Sequence, residues 1–387
     1  MRAIRYDQES LSSGAWVSRS KSAREPVFVK GKNRILVART DRLGDVILAL
    51  PTLQFLRQTL SEHEIDFLCP PGVQSVLSPF FEDQGINIVT DDAAPISDWM
   101  RRFKQREYSA ALFLFARAWV AAAAWWSGVP WRIGSYSQIF SLGFWNAGLR
   151  QRRSRALKNE AEYNLELARL MVRKAFGVTG PTYLAPIELS ADEKSVALAK
   201  EALAGQGLSL ESEYVAVHPG MGGSALNPSV ESYVSLIRGL RKFSSAPILV
   251  TAGPSDYDRK MVSEIAVKER DLAVLSELSL PVVREIFRRA LLVVAPSTGP
   301  LHLAHYVGTP TIGLYSPVRS HRKERWAPWG GAGDSTVLSP DVDCPATRDC
   351  LGETCMHYPC VDRMFRGSLL SQTESALKEA CRGNDGL

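Results

Sequence analysis

The stretch VVAPSTGPLHLAHYVGTPTIGLYSP, Val293–Pro317, decides the fold class. The apolar run Ala290–Ala295 predicts a strand buried on both faces. Pro296 ends it, and the loop Ser297-Thr298-Gly299-Pro300 opens a helix through His302 and His305. Gly308-Thr309-Pro310 closes that helix, and TIGLYS (Thr311–Ser316) predicts a second buried strand. Strand, tight loop, helix, strand is a βαβ unit, and such units build parallel sheets. The Ser/Thr/Gly loop at the helix start offers free N–H groups and hydroxyls, which suit a phosphate. The local pattern alone fits an ordinary βαβ turn equally well.

Upstream, YVAVH (Tyr214–His218), PILVT (Pro247–Thr251) and LAVL (Leu272–Leu275) make the same half a βα series. A second series precedes it. Its strands are RILVAR (Arg34–Arg39), Ile65–Cys69, Ile86–Thr90, Ser109–Phe115 and a short candidate at Arg132–Gly134. A helix is expected from about Asp45 to Leu60, kinked at Pro51. The stretch Gly177–Pro186 reads as a linker between the halves. Residues 1–33 are polar, without periodicity, and are expected to be a flexible extension. The last helix candidate is Leu369–Ala380, in a tail (366–387) expected to pack back on the first half.

A chain of 387 residues, 45% hydrophobic and 22% charged, has room and composition for two soluble domains. The longest apolar run with tryptophans, AWVAAAAWW (Ala118–Trp126), falls well short of the ~18 residues of a membrane span. The N-terminus lacks the pattern of a secretory signal, so a cytoplasmic protein is expected. Charge is uneven: residues 1–187 hold 25 Lys/Arg against 17 Asp/Glu, and Arg101–Lys158 holds 11 basic residues against Glu107 alone. Such a run is either a solvated face or the footprint of an anionic partner. Interleaved tryptophans (Trp119, Trp125, Trp126, Trp131, Trp145) fit a membrane-interface surface as well as a nucleic-acid surface, but no nucleic-acid motif is present.

Asp45 falls at the mouth of the first strand–helix turn, where ligands of open α/β sheets bind. As a first-turn carboxylate it could equally serve the helix alone. Arg39 and Arg42 beside it suggest an anionic ligand. The late cysteines Cys344, Cys350, Cys355 and Cys360 lack CxxC spacing and read as thiols more readily than as a metal site. Asp256-Tyr257-Asp258 and Asp341-Val342-Asp343 spell DxD, a pattern short enough to arise by chance.

Three stretches together resemble one family. RTDRLGDVILALP (Arg39–Pro51), VHPGMGGSALNP (Val217–Pro228) and STGPLHLAHYVGTPTIGLYSP (Ser297–Pro317) are similar, in order and spacing, to bacterial ADP-heptose:lipopolysaccharide heptosyltransferases, glycosyltransferase family 9. The resemblance covers roughly residues 34–365. It implies a GT-B fold, two Rossmann-like domains facing across a cleft: residues 34–186 for the acceptor and 187–365 for the nucleotide sugar. It also implies inverting transfer with Asp45 as general base and no metal or other cofactor. Donor contacts are expected from Gly220, Met221, Gly222, Gly223, Ser224, Ser297, Thr298, Gly299, Pro300 and His302. Acceptor contacts are expected from Arg39, Arg42, Arg101, Arg102, Lys104 and Arg117.

The implied partners are a nucleotide-sugar donor, ADP-heptose or similar, and an anionic glycolipid acceptor. Peripheral contact with the inner membrane follows from the lipid-linked acceptor, and no nucleic acid is implied. Two positions depart from the family. Ala225-Leu226-Asn227-Pro228 lacks the Lys and Trp often found there, and Ser297 stands where Asp often precedes Thr-Gly. The sugar is therefore left open, and a GT-B nucleotide-sugar epimerase or hydrolase, or a silent binding relative, are the alternatives.

Overall fold

Branched apolar runs without an exposed face, such as Ile35–Val37 and Val293–Ala295, are the strand centres of two parallel sheets. The computed structural model describes residues 4–5, 33–115, 117–137, 141–223, 225–365, 371 and 375. Most of the expected extension 1–33 and terminal segment 366–387 lies outside the described residues. Internal contacts divide the chain into two units, residues 1–153 with 160–187, and residues 154–159 with 188–387.

The first unit holds β1 (Ile4–Arg5), β2 (Arg34–Arg39), β3 (Glu64–Cys69), β4 (Ile86–Thr90), β5 (Ala110–Phe115), β6 (Trp131–Ser135), β7 (Ala147–Leu149) and β8 (Tyr183–Leu184). Six of these form one parallel sheet in the order β4-β3-β2-β5-β6-β7. The expected linker Gly177–Pro186 contributes β8, which pairs antiparallel with β1. The chain builds outward from β2 to β4, then returns to β2's other side at β5. The switch point of this sheet therefore lies between β2 and β5.

The second unit holds β9 (Val215–Val217), β10 (Ile248–Thr251), β11 (Leu272–Leu275), β12 (Leu292–Pro296), β13 (Thr311–Leu314) and β14 (Ser335–Leu338). Their order, β11-β10-β9-β12-β13-β14, repeats that of the first sheet, and every pairing is parallel. Its switch point lies between β9 and β12. The chain is thus α/β with two doubly wound sheets, the pair of Rossmann-like units of the GT-B class.

The helix expected over Asp45–Leu60 is two helices, Leu43–Ile47 and Leu50–Thr59. Pro51 sits in the first turn of the second, where its missing N–H has no intrahelical partner to lose. The break at Leu48–Ala49 replaces the expected kink. The first helix is left as a single turn that carries Asp45 on the loop leaving β2.

Candidate active site

In the first unit, the Thr40 N–H donates to the Phe115 carbonyl (3.3 Å), joining the loops after β2 and β5 at the switch point. Arg42 caps the helix Leu43–Ile47 with its backbone, and Asp45 lies in the first turn. The Asp45 carboxylate accepts from Arg39 Nη2 at 2.5 Å. Arg39 is the last residue of β2 and its side chain is 2% exposed. Its Nε donates to Asp41 Oδ1 (2.7 Å), and its Nη1 to Glu160 Oε1 (2.9 Å) and Asn164 Oδ1 (3.2 Å). Arg153 donates to the same Glu160 oxygen. Burial works against a charge on Arg39, but Asp41, Asp45 and Glu160 outweigh it and raise its pKa.

The hydrogen bonds of Arg39 run to Asp41, Asp45, Glu160 and Asn164 of its own unit, and its guanidinium braces Asp45. Arg42 is exposed, and Arg117, 59% exposed, starts the helix on the neighbouring loop. These two remain at the carboxyl edge of the sheet with Asp45. Arg101, Arg102 and Lys104 sit on the helix Ile96–Arg106, which leaves the carboxyl end of β4. Arg101 pairs with Asp98 (3.0 Å), and Arg102 pairs with Asp92 (2.9 Å) and lies over the Trp99 ring. Sequence reasoning does not single out Asp41, Glu160 or Asn164. The usable signal was Glu160 and Asn164, four apart on a helix and both buried among apolar neighbours.

In the second unit, His218 follows β9, and its ring Nδ1 lies 2.8 Å from Thr251 Oγ1. Burial pushes its pKa down to about 4, so the imidazole is neutral at physiological pH. The loop that follows turns through Gly222 (φ 54°) and Gly223 (φ 68°), left-handed positions that favour glycine. The N–H groups of Met221 (3.1 Å) and Gly222 (3.3 Å) both donate to Asp258 Oδ1. Those two donors were expected to face a diphosphate, but here they hold a buried carboxylate. Ser224 lies outside the described residues. The DxD spelling at Asp256 resolves accordingly: Asp258 anchors the loop, and Asp256 pairs with Arg259 at the surface.

Asp258 is wedged between two glycines. A Cβ on Gly220 would come 2.7 Å from its Cγ, and one on Gly253 would come 2.5 Å from its Oδ2. Gly220→Ala is therefore expected to displace the loop. Overpacking of this kind costs about 1–3 kcal/mol. Denaturant unfolding checks this; an unchanged midpoint would remove the clamp.

The strand β12 lies beside β9, so its loop shares that edge. The Ser297 N–H donates to the Leu314 carbonyl (3.1 Å), and Thr298 Oγ1 donates back to the Pro296 carbonyl (3.1 Å). The helix Gly299–Tyr306 consequently starts with no side-chain cap, and Pro300 has no N–H to satisfy. Its positive end is left for an anion. His302, one turn in, is buried, and its Nδ1 has no hydrogen-bond partner among the described residues. Burial, then His305, push its pKa down to about 3. His305 Nε2 accepts from the Gly331 N–H at 3.2 Å, and burial lowers its pKa to about 4. Both are neutral imidazoles, so His302 could offer a ligand a hydrogen bond but no charge. The late cysteines Cys344, Cys350, Cys355 and Cys360 are free thiols. Among the described residues no three His, Cys, Asp or Glu are grouped as metal ligands, and no helix is long and apolar enough to cross a membrane.

Each unit has its own switch point, one with a braced carboxylate and one with an uncapped helix start, and known proteins share the fold that carries them. The crystal structure of a glycosyl transferase family 9 protein from Veillonella parvula matches at TM-score 0.74 and 17% identity, covering 90% of this chain and 98% of that one. An Escherichia coli ADP-heptose lipopolysaccharide heptosyltransferase II matches at TM-score 0.68 and 17% identity, over 91% and 100%. At such identities the likeness is one of fold. A Haemophilus influenzae protein provisionally named a glycosyltransferase is 31% identical over 301 residues, 76% of this chain and 86% of its own length. With the family model matching residues 98–349 as well, the chain belongs to glycosyltransferase family 9 (heptosyltransferase).

Proposed function

We propose that the protein transfers a sugar, with inversion, from a nucleoside diphosphate to an anionic glycolipid acceptor, with Asp45 as the general base. The observation that carries this is the partly exposed Asp45 carboxylate, fixed by buried Arg39 at the switch point of the first sheet. In the proposed step the acceptor hydroxyl oxygen bonds to the anomeric carbon and its proton passes to Asp45. The bond from that carbon to the phosphate oxygen breaks, and its electron pair leaves on the nucleoside diphosphate. The uncapped start of Gly299–Tyr306 meets the growing negative charge on the diphosphate, a stabilisation that a metal cation need not then supply.

Membership of family 9, and the named donor of the Escherichia coli relative, support ADP-heptose or a similar donor. Arg42 and Arg117 support an acceptor bearing phosphate or carboxylate. A peripheral site on the cytoplasmic face of the inner membrane is supported by the adjacent Trp125 and Trp126, 46% and 54% exposed. Ser127 Oγ donates to the Met100 carbonyl (2.9 Å), which sets these rings beside the helix that bears Arg101 and Lys104.

Thermal unfolding with ADP, GDP and UDP tests the donor half. The matching nucleotide at a hundred times its Kd should stabilise the protein by about 2.7 kcal/mol. A panel of nucleotide sugars, with and without core-oligosaccharide acceptor, tests transfer. No thermal response to any nucleoside diphosphate would overturn the proposal.

A further inference from the structure

Arg39 holds two carboxylates at the open end of its guanidinium, and the step above uses one. Asp41 Oδ1 accepts from Nε at 2.7 Å and Asp45 Oδ1 from Nη2 at 2.5 Å, so one cation is shared. The two carboxylates are also alike in solvent access, 18% and 17% exposed. We propose that Asp41 is a positioning residue for Asp45: the two compete for Arg39, and the charge on Asp41 sets how strongly Asp45 draws the acceptor proton. This rests on Asp45 being the base.

The charged groups around Asp41 can be named element by element. Arg39 comes from β2, Arg42 from the same loop, and Asp45 from the helix Leu43–Ile47. Glu160 comes from the helix Glu160–Phe176, with Arg153 against it. Arg117, on the loop after β5, pairs instead with Asp91, its Nε 4.0 Å away. Three carboxylates thus surround Arg39. Burial raises the pKa of Asp41, Arg39 opposes that, and Asp45 and Glu160 add to it, leaving it pushed up to about 7. Protonated Asp41 releases Arg39 to neutralise Asp45, which weakens the base. Ionised Asp41 takes a share of Arg39, and Asp45 becomes the stronger base. Transfer is then expected to rise as pH passes through about 7.

The test uses Asp41→Asn and Asp41→Glu in the full chain, with two readouts. The first is the pH profile of kcat/KM. Wild type should show a rising limb, Asp41→Asn should lose it and fall roughly threefold at pH 8, and Asp41→Glu should restore it. The second is the unfolding midpoint against pH, without substrate. The folded pKa of Asp41 lies above its ordinary value, so its stabilising contribution is present below about pH 4 and lost as pH rises toward 7. The gap between wild type and Asp41→Asn should therefore change across that window. A limb that persists in Asp41→Asn, or midpoint curves that stay parallel, overturns the proposal. If the midpoint curves diverge as expected while wild type transfers no sugar from any donor, the transferase reading fails instead.

Discussion

Asp45→Asn should lower kcat by about 10²- to 10⁴-fold, the usual contribution of a general base, while leaving the fold and donor binding in place. The replacement is nearly isosteric, and its amide oxygen can still accept from Arg39 Nη2, now 2.5 Å from the carboxylate. What is lost is the proposed capacity to take the acceptor's proton during attack. The elements proposed to hold the nucleotide lie in the second unit, after β9 and β12, so the thermal shift with a nucleoside diphosphate should be unchanged. Low kcat with an intact nucleotide response separates a lost base from a lost fold. Transfer that continues undiminished in Asp45→Asn would sink the base assignment.

Arg39→Ala carries the largest expected effect on stability. Removing the guanidinium leaves Asp41, Asp45 and Glu160 without their shared cation, and Glu160 is fully buried. Taking one partner from a buried ion pair costs about 3–5 kcal/mol. For a unit of this size that lowers Tm by roughly 10 °C. Arg153 stays on Glu160 and softens the loss, so Glu160→Leu in the Arg39→Ala background should recover part of it. A cost of less than about 1 kcal/mol would place the cluster with screened surface pairs.

The fold was legible because each unit announces its strands as apolar runs bounded by Gly, Pro and Ser. Both βα series follow from such runs except the edge strands β7 and β14, which are short and poor in buried residues, and the loops after β2, β9 and β12 are the ones the sequence singles out. Strand order needs the long crossover back to β5, which no local pattern encodes. The roles of charged residues were harder, because their partners are distant. Arg39 reads as a surface cation in RTDRLGD, and its partners Glu160 and Asn164 lie 121 and 125 residues away. Asp258 reads as half of a DxD, and the N–H groups it holds lie 37 and 36 residues back. In the basic run, Asp98, three residues before Arg101, pairs with it at the surface.

The way the chain is shared between its units bears on how it can be dissected. Residues 154–159 belong to the second unit although first-unit sequence flanks them on both sides, and Asn159 Nδ2 donates to the Ala327 carbonyl at 2.9 Å. Fragments made by a single cut at residue 187 would therefore misallot six residues. The second would leave the Ala327 carbonyl without its donor, and the first would carry a loop cut off from its own packing. A circularly permuted chain, or a fragment that brings residues 154–159 with it, is the cleaner way to test the second unit for the proposed nucleotide binding.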